Sequence, residues 1–265
     1  MSKLIVKGQQ TGRDIVTVTP ESAGWRHVGF AAKRLNGGER LAFDTGESEL
    51  CIVVLTGIVT VTTPEHIWRE IGERRSVFET QSPYAVYVPP RQRVTIASHG
   101  DAEVALCTAP ASGRLEARLI EPAIIARSTR GAGTNTRYVC DILPQSEPAE
   151  SLLVVEVVTP AGHSSSYPPH KHDADAIPQE SFLEETYYHR IDPPQGFAFQ
   201  RVYTDARDID AAYAVENHDV VMVPRGYHPV TAPHGYHSYY LNVMAGPKRV
   251  WHFRNDPAHE WMLAT

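Results

Sequence analysis

The sequence predicts an all-β protein built from two similar β-barrel domains in tandem, and three observations carry that expectation. Twenty prolines and eighteen glycines punctuate 265 residues that offer few good helix runs, which favours short strands and many turns. The apolar stretches are rich in Val, Ile, Thr and Tyr, residues that pack well on a pleated surface. The second half also repeats the spacing of the first. Val88-Pro89 heads a run continuing to residues 94–97, and Val223-Pro224 heads one continuing to 230–232. Glu49 lies 40 residues before Pro89, and Glu185 lies 39 before Pro224. An offset of about 135 residues is the size of a domain, so the unit written twice is a whole barrel.

Taken in order, residues 14–18 read as the first clear strand. Residues 50–61 are apolar and β-branched, broken by Gly57, and read as two strands joined at a tight turn. Residues 84–97 and 101–107 continue the β pattern. The glycines and polar residues between Arg127 and Pro148, with Arg130-Gly131-Ala132-Gly133 at their centre, read as a linker. Residues 152–158 are a strand that turns at Pro160-Ala161-Gly162 into residues 164–167. Residues 196–203 follow the turn at 192–195, and residues 237–244 and 249–253 are the last two expected strands. The expected organisation is a first domain over 1–125, a linker over 126–150 and a second domain over 151–265.

Hydrophobic residues make up 42% and charged residues 21%, as in a soluble globular chain. A net charge of −6 without a basic patch argues against a nucleic-acid partner. No run of about 18 apolar residues marks a membrane span, and the first residues lack the apolar core of a signal peptide. Cys51, Cys107 and Cys140 are far apart and read as buried thiols in a reducing compartment, so a cytoplasmic location is expected.

The chemistry gathers in the second half. His170 and His172, two apart on a strand, point to the same side, whereas Lys171 between them points away. Glu184-Glu185 follows about a dozen residues later on another strand-like segment, and His228 closes Pro224-Arg225-Gly226-Tyr227-His228. Three imidazoles and a carboxylate lining one cavity suit a divalent ion such as zinc, iron, manganese or nickel. The first half lacks this set. Arg93 stands at the offset of His228, no His-x-His precedes Glu49, and ten of the thirteen histidines lie after residue 160. The first domain is therefore expected to hold no metal.

His-x-His, a Glu ahead of Tyr187-Tyr188, and Pro-x-Gly-x-His on a β scaffold resemble the cupin superfamily. The tandem copy resembles a bicupin, two double-stranded β-helix (jelly-roll) barrels. The wider set, residues 166–173, 184–190, 223–230 and 251–257 with the loop 130–133, resembles the 5-deoxy-glucuronate isomerase family of myo-inositol catabolism, itself related to the uronate ketol-isomerases of pectin breakdown. It spans most of the chain, and the early third joins mainly through the repeat. The resemblance implies metal ligands at His170, His172, Glu185 and His228, with one divalent ion: zinc first, manganese, iron or nickel as alternatives. Glu185 is taken over Glu184 because Tyr187 is then the next inward residue. Cupins usually place two residues between that Gly and His; here Tyr227 alone intervenes, so His237, with His234 close by, stays open as an alternative fourth ligand.

The family further implies an aldose–ketose isomerase that converts 5-deoxy-D-glucuronate to 5-dehydro-2-deoxy-D-gluconate through a metal-stabilised enediolate. Such chemistry needs an acid and a base, for which Tyr187 and His237 are candidates. It also needs a cation for the substrate carboxylate, for which Arg201 and Arg225 are candidates. The expected partners are a sugar-acid substrate and further copies of the chain. The rival readings are a metal-dependent dioxygenase on the same scaffold, and a sugar-binding protein without activity. The segment 251–257 reads as structural or interfacial.

Overall fold

A computed structural model describes residues 4–264. Ser48–Thr56 is apolar without a break from Leu50 to Leu55 and buried along almost its whole length, as a strand between two packed layers must be. It pairs with Ala85–Val88 on one side and Ala102–Pro110 on the other. Gly29–Leu35 and Asp14–Val18 extend this six-stranded sheet at one edge, and Arg118–Ile120 at the other. A four-stranded sheet in the order Arg40–Asp44, Arg93–Ser98, Val59–Thr62, Ile67–Ile71 faces it. Leu50, Ile52, Val54 and Val104 from one sheet meet Val59, Val61, Val94 and Ile96 from the other, so the interior of the first barrel is filled with aliphatic side chains. The tight turn falls at Gly57 as expected. Its φ is +84°, and a Cβ there would come within 2.4 Å of the Asp101 carbonyl oxygen.

The second half repeats the plan. Its seven-stranded sheet runs Ile5–Val6, Val220–Val223, Glu184–Asp192, His237–Ala245, Leu153–Thr159, Arg137–Leu143, Ala126–Arg130. The facing four-stranded sheet runs Ser164–Ser165, Val230–Thr231, Phe197–Tyr203, Asp210–Glu216. Ser48–Thr56, Ala85–Val88 and Ala102–Pro110 return, with the same lengths, as Glu184–Asp192, Val220–Val223 and His237–Ala245, displaced by about 135 residues. The repeat and the all-β bicupin architecture are as the sequence predicts.

The two large sheets pack back to back. Cys51, Val53, Leu55 and Cys107 of the first lie in one apolar cluster with Tyr188, Tyr239, Leu241 and Val243 of the second. Two carboxylates lock this contact. Glu49 accepts hydrogen bonds from the backbone amides of Glu150 (2.8 Å), Ser151 (2.6 Å) and Leu152 (2.6 Å) in the second half. Glu184 accepts from Arg26 (2.8 Å), His27 (2.7 Å) and Val28 (3.1 Å) in the first. Each glutamate thus holds the chain just ahead of the partner barrel's strand, Leu153–Thr159 or Gly29–Leu35.

Four expectations need correction. Residues 126–150 are not a linker: Ala126–Arg130 and Arg137–Leu143 form a hairpin that completes the second barrel's large sheet. Ile5–Val6 pairs with Val220–Val223, so this strand lies in the sheet of the second barrel and the 1–125 boundary is breached. Residues 249–253 are irregular, and the strand falls at Arg254–Asn255, which pairs with His170–Lys171. Finally, register aligns Glu49 with Glu184, because Leu50 pairs with Val88 where Glu185 pairs with Val223. Leu50 therefore occupies the position of Glu185 in the first barrel, and Arg93 is exposed and bonded to Asp44 on the outside.

Glu49→Ala would leave one buried amide, that of Leu152, and two half-buried ones without their acceptor. Its unfolding free energy in urea should fall by about 3–5 kcal/mol, since unpaired buried donors cost roughly 1–3 kcal/mol each before relaxation. A change below 1 kcal/mol would show that the latch is ornamental.

Candidate metal centre

Strand alternation builds the centre from Glu184-Glu185. Because successive side chains face opposite ways, Glu184 turns to the first domain and Glu185 into the barrel, followed inward by Tyr187. His172 and His228 meet Glu185 there. His172 Nε2 lies 3.0 Å and His228 Nε2 3.2 Å from Glu185 Oε2, and all three side chains are almost wholly buried. One donor atom from each of the three lies within 4.8 Å of the others. Among the described residues this is the group of His, Cys, Asp and Glu side chains with such spacing.

Backbone carbonyls set which imidazole nitrogen faces inward. His172 Nδ1 donates to Leu183 O at 3.0 Å, and His228 Nδ1 donates to Gly226 O at 2.8 Å. With Nδ1 carrying the proton, each Nε2 offers a lone pair to the same point that the Glu185 carboxylate addresses. His228 Nε2 makes no well-directed hydrogen bond although fully buried. Three converging acceptors repel one another unless a cation sits between them, so this donor set fits a divalent ion. If instead both imidazoles carry a second proton, their Nε2–H groups face Glu185; burial pushes its carboxyl up, but protonated His172 and His228 outweigh burial and bring it down to about 2.

Gly226 holds its carbonyl in place with a φ of +97° and with Tyr203 O only 2.5 Å from where a Cβ would stand. Its N–H donates to Asp173 Oδ2 at 3.0 Å. Lys171 points away from the centre, as alternation requires, and bonds Asp173 at 2.6 Å and Glu180 at 3.2 Å. His170 stands one step out from the group. Its ring centre is 4.9 Å from that of His228 and 6.3 Å from that of His172. Burial first, then its neighbours His228 and His172, hold its pKa well below the usual range, so it is a neutral imidazole.

The centre opens into a cavity of about 270 Å³, lined by His170, Glu185, Tyr187, Tyr240 and Asn242 on the barrel side. That is close to the ~300 Å³ lower end of small-molecule sites. Ser166 and Asn242 line the same cavity as Tyr187. Trp251, Phe253, Asn255 and Leu263 of the C-terminal segment form the opposite wall, so residues 251–257 belong to the site rather than to a remote interface.

Three of the predicted site residues lie elsewhere. His237 is exposed and pairs with Asp192, while Glu185 pairs with Met244 seven residues along the same strand pair. At about 3.4 Å per residue that separation exceeds 20 Å, so His237 is neither a ligand nor an acid or base here. Arg201 bonds Asp210 and stacks over Tyr203, 4.6 Å away, on the outer face of the barrel. Arg225 is exposed and bonded to Asp208. The cationic residues that do line the cavity are Arg130 and Arg137 of the hairpin. The signal that could have found them is the placement of both arginines on either side of one glycine-rich turn, which brings them together when the turn closes a hairpin.

The model of the KduI/IolB family matches residues 4–262. A 5-deoxy-glucuronate isomerase of Geobacillus kaustophilus is 52% identical, covering 99% of this chain and 96% of its own length. That of Bacillus subtilis strain 168 is 51% identical, covering 93% and 91%. The crystal structure of an IolB-like protein from Salmonella typhimurium LT2 superimposes with a TM-score of 0.97 at 46% identity, covering 99% of this chain and 100% of that one. An oxalate decarboxylase from Lactobacillus farciminis shares the fold alone, with a TM-score of 0.68 at 12% identity over 100% and 91% of the two chains.

Elemental analysis of purified protein should find about one divalent ion per chain. His172→Ala and His228→Ala should reduce it to background, whereas His237→Ala should retain it. Full occupancy in His172→Ala would refute the centre.

Proposed function

Because the chain belongs to the KduI/IolB family, we propose that it carries out its isomerisation at the centre formed by His170, His172, Glu185 and His228, with Tyr187 as the acid. The chain is a 5-deoxy-glucuronate isomerase, an aldose–ketose isomerase of inositol catabolism. It interconverts 5-deoxy-D-glucuronate and 5-dehydro-2-deoxy-D-gluconate. Neither a dioxygenase nor an inert sugar-binding protein fits relatives of this name at this identity. The observation that carries the site assignment is the convergence of two Nε2 lone pairs and a carboxylate beside Tyr187 in one cavity.

His172, Glu185 and His228 would hold one divalent ion, zinc first, with His170 completing the set from the cavity side. When bound, the ion supplies a Lewis acid that polarises the sugar carbonyl and stabilises negative charge on oxygen. The remaining work falls to the chain's own groups. Burial, and after it the charge of Glu185, push the Tyr187 hydroxyl well above its usual value of 10.0. Tyr187 therefore stays protonated across the working range and can give a proton, not take one, as charge grows on the sugar oxygen. Ser166 and Asn242 stand with Tyr187 on the cavity wall, as polar groups that would meet the sugar hydroxyls. A general base takes the proton from the sugar carbon adjacent to the carbonyl and returns it to the former carbonyl carbon, through an enediolate, while Tyr187 recovers its proton from the neighbouring hydroxyl. Trp251 and Phe253 line the cavity and take up space that water would otherwise fill beside that charge.

The buried thiols of Cys51, Cys107 and Cys140 support a cytoplasmic location. Among the described residues no helix is long and apolar enough to cross a membrane. The exposed Trp261 and Leu263 support assembly with further copies.

Isomerisation in D₂O, followed by proton NMR, should place deuterium on the product carbon next to the ketone, because an enediolate exchanges its proton with solvent. Tyr187→Phe should slow turnover by about 10²–10⁴-fold, the usual contribution of a positioned acid, with its metal content unchanged. A parent rate in Tyr187→Phe would reduce Tyr187 to wall packing.

A further inference from the structure

Arg130 and Arg137 are directly opposed at the end of the hairpin formed by Ala126–Arg130 and Arg137–Leu143. Opposed residues of a strand pair present their side chains on one face, and both line the cavity that contains His170, Glu185 and Tyr187. Two like charges in this arrangement repel and weaken the hairpin. The protein does little to offset them. Arg130 is 3.6 Å from Asp141 and lies over the Trp251 ring at 6.0 Å. Arg137 is more deeply buried, and among the described residues it has no ion-pair partner; its Nη1 donates to Asn135 O, within its own turn, at 3.1 Å. Burial, and then the charge of Arg130, lower the pKa of Arg137, which reports the same lack of a counter-charge. Burying a guanidinium without an anion is costly, and this pair sits on the wall of a ligand-sized cavity, so an anion from solution would complete it.

We propose that Arg137, assisted by Arg130, binds the carboxylate of the substrate and makes the enzyme selective for uronates over neutral sugars. This rests on the isomerase reading above. The metal ligands would engage the carbonyl end of the six-carbon chain, and the arginines would engage the acid end. A guanidinium matches a carboxylate with two parallel N–H···O bonds, which an ammonium cannot do. The hairpin and the C-terminal segment then act together, since Trp251 carries Arg130 on its ring. Arg201 and Arg225, already bonded to aspartates outside the barrel, have no such task.

The test is calorimetric titration of the metal-loaded full-length protein with D-glucuronate and with D-glucose, alongside steady-state kinetics on 5-deoxy-D-glucuronate. The parent should bind D-glucuronate at least 10-fold more tightly than D-glucose. Arg137→Met should weaken D-glucuronate binding about 10- to 100-fold, the range for a hydrogen-bonded charge. It should raise KM more than it lowers kcat, and leave metal content and D-glucose affinity unchanged. Arg137→Lys should recover part of the loss. Since Arg137 also braces its turn, Arg130→Met, at a more exposed position, provides a second variant and should weaken D-glucuronate by a smaller factor. Unchanged D-glucuronate affinity in both methionine variants, or equal binding of the two sugars by the parent, would overturn the proposal. A parent that binds D-glucuronate through these arginines yet fails to isomerise 5-deoxy-D-glucuronate would instead support the clamp and remove the isomerase reading.

Discussion

The structure depends on the alternation of two adjacent glutamates. Glu184 faces out of the second barrel and holds three backbone amides of the first domain; Glu185 faces in and meets two histidines. A strand that slipped by one residue would reverse both at once, burying Glu184 among imidazoles and presenting Glu185 to the domain interface. Domain docking and the metal centre therefore fix each other's register. Glu49 performs the outward half of this task in the first barrel, where its inward neighbour is Leu50.

That substitution explains how one fold serves two purposes. With Leu50, Val88 and Ile96 filling its interior, the first barrel is an aliphatic core that puts Leu50 where the second barrel has the Glu185 carboxylate. It supports the second barrel across the shared interface, where Arg74 bonds Glu156 at 2.8 Å and Glu103 bonds Arg190 at 2.7 Å and the Tyr188 hydroxyl at 2.6 Å. Buried ion pairs of this kind contribute little net stability over apolar packing, but they penalise any other alignment of the two sheets because a misplaced charge would be left unpaired.

The sequence revealed what depends on short-range spacing. Strand period 2 puts His170 and His172 on one side, and the Pro-x-Gly-x-His turn delivers His228, so the candidate ligands could be read locally. The repeat was visible because its strands keep their lengths, although its glutamate register was misread by one residue: sequence offset alone cannot distinguish two adjacent glutamates that face opposite ways. His237 misled because it lies near His228 in the chain, yet an antiparallel strand carries it to the far end of the sheet. Arg201 and Arg225 were plausible cations, and only tertiary contacts show each already bonded to an aspartate. The hairpin reads as a linker in sequence because its outer strand, Ala126–Arg130, is a solvent-facing edge with polar residues, which lacks the apolar alternation that marks a strand.

These misread segments share one feature. Among the described residues, the edge strand Ala126–Arg130 and the pairing of Arg254–Asn255 with His170–Lys171 have no counterpart in the first barrel. They are additions to the repeated unit, and both line the cavity of the barrel that kept its ligands. The duplicated strands can create a metal centre, but they cannot decide which small molecule reaches it. Substrate choice would then reside in the added pieces and the segments joined to them, which bring Arg130, Arg137, Trp251 and Phe253 to the cavity wall. Pieces outside the repeated strands can change without disturbing the register that Glu184 and Glu185 set. On this view, exchanging the hairpin and the tail would change what the barrel binds, whereas exchanging the central strands would cost the fold itself.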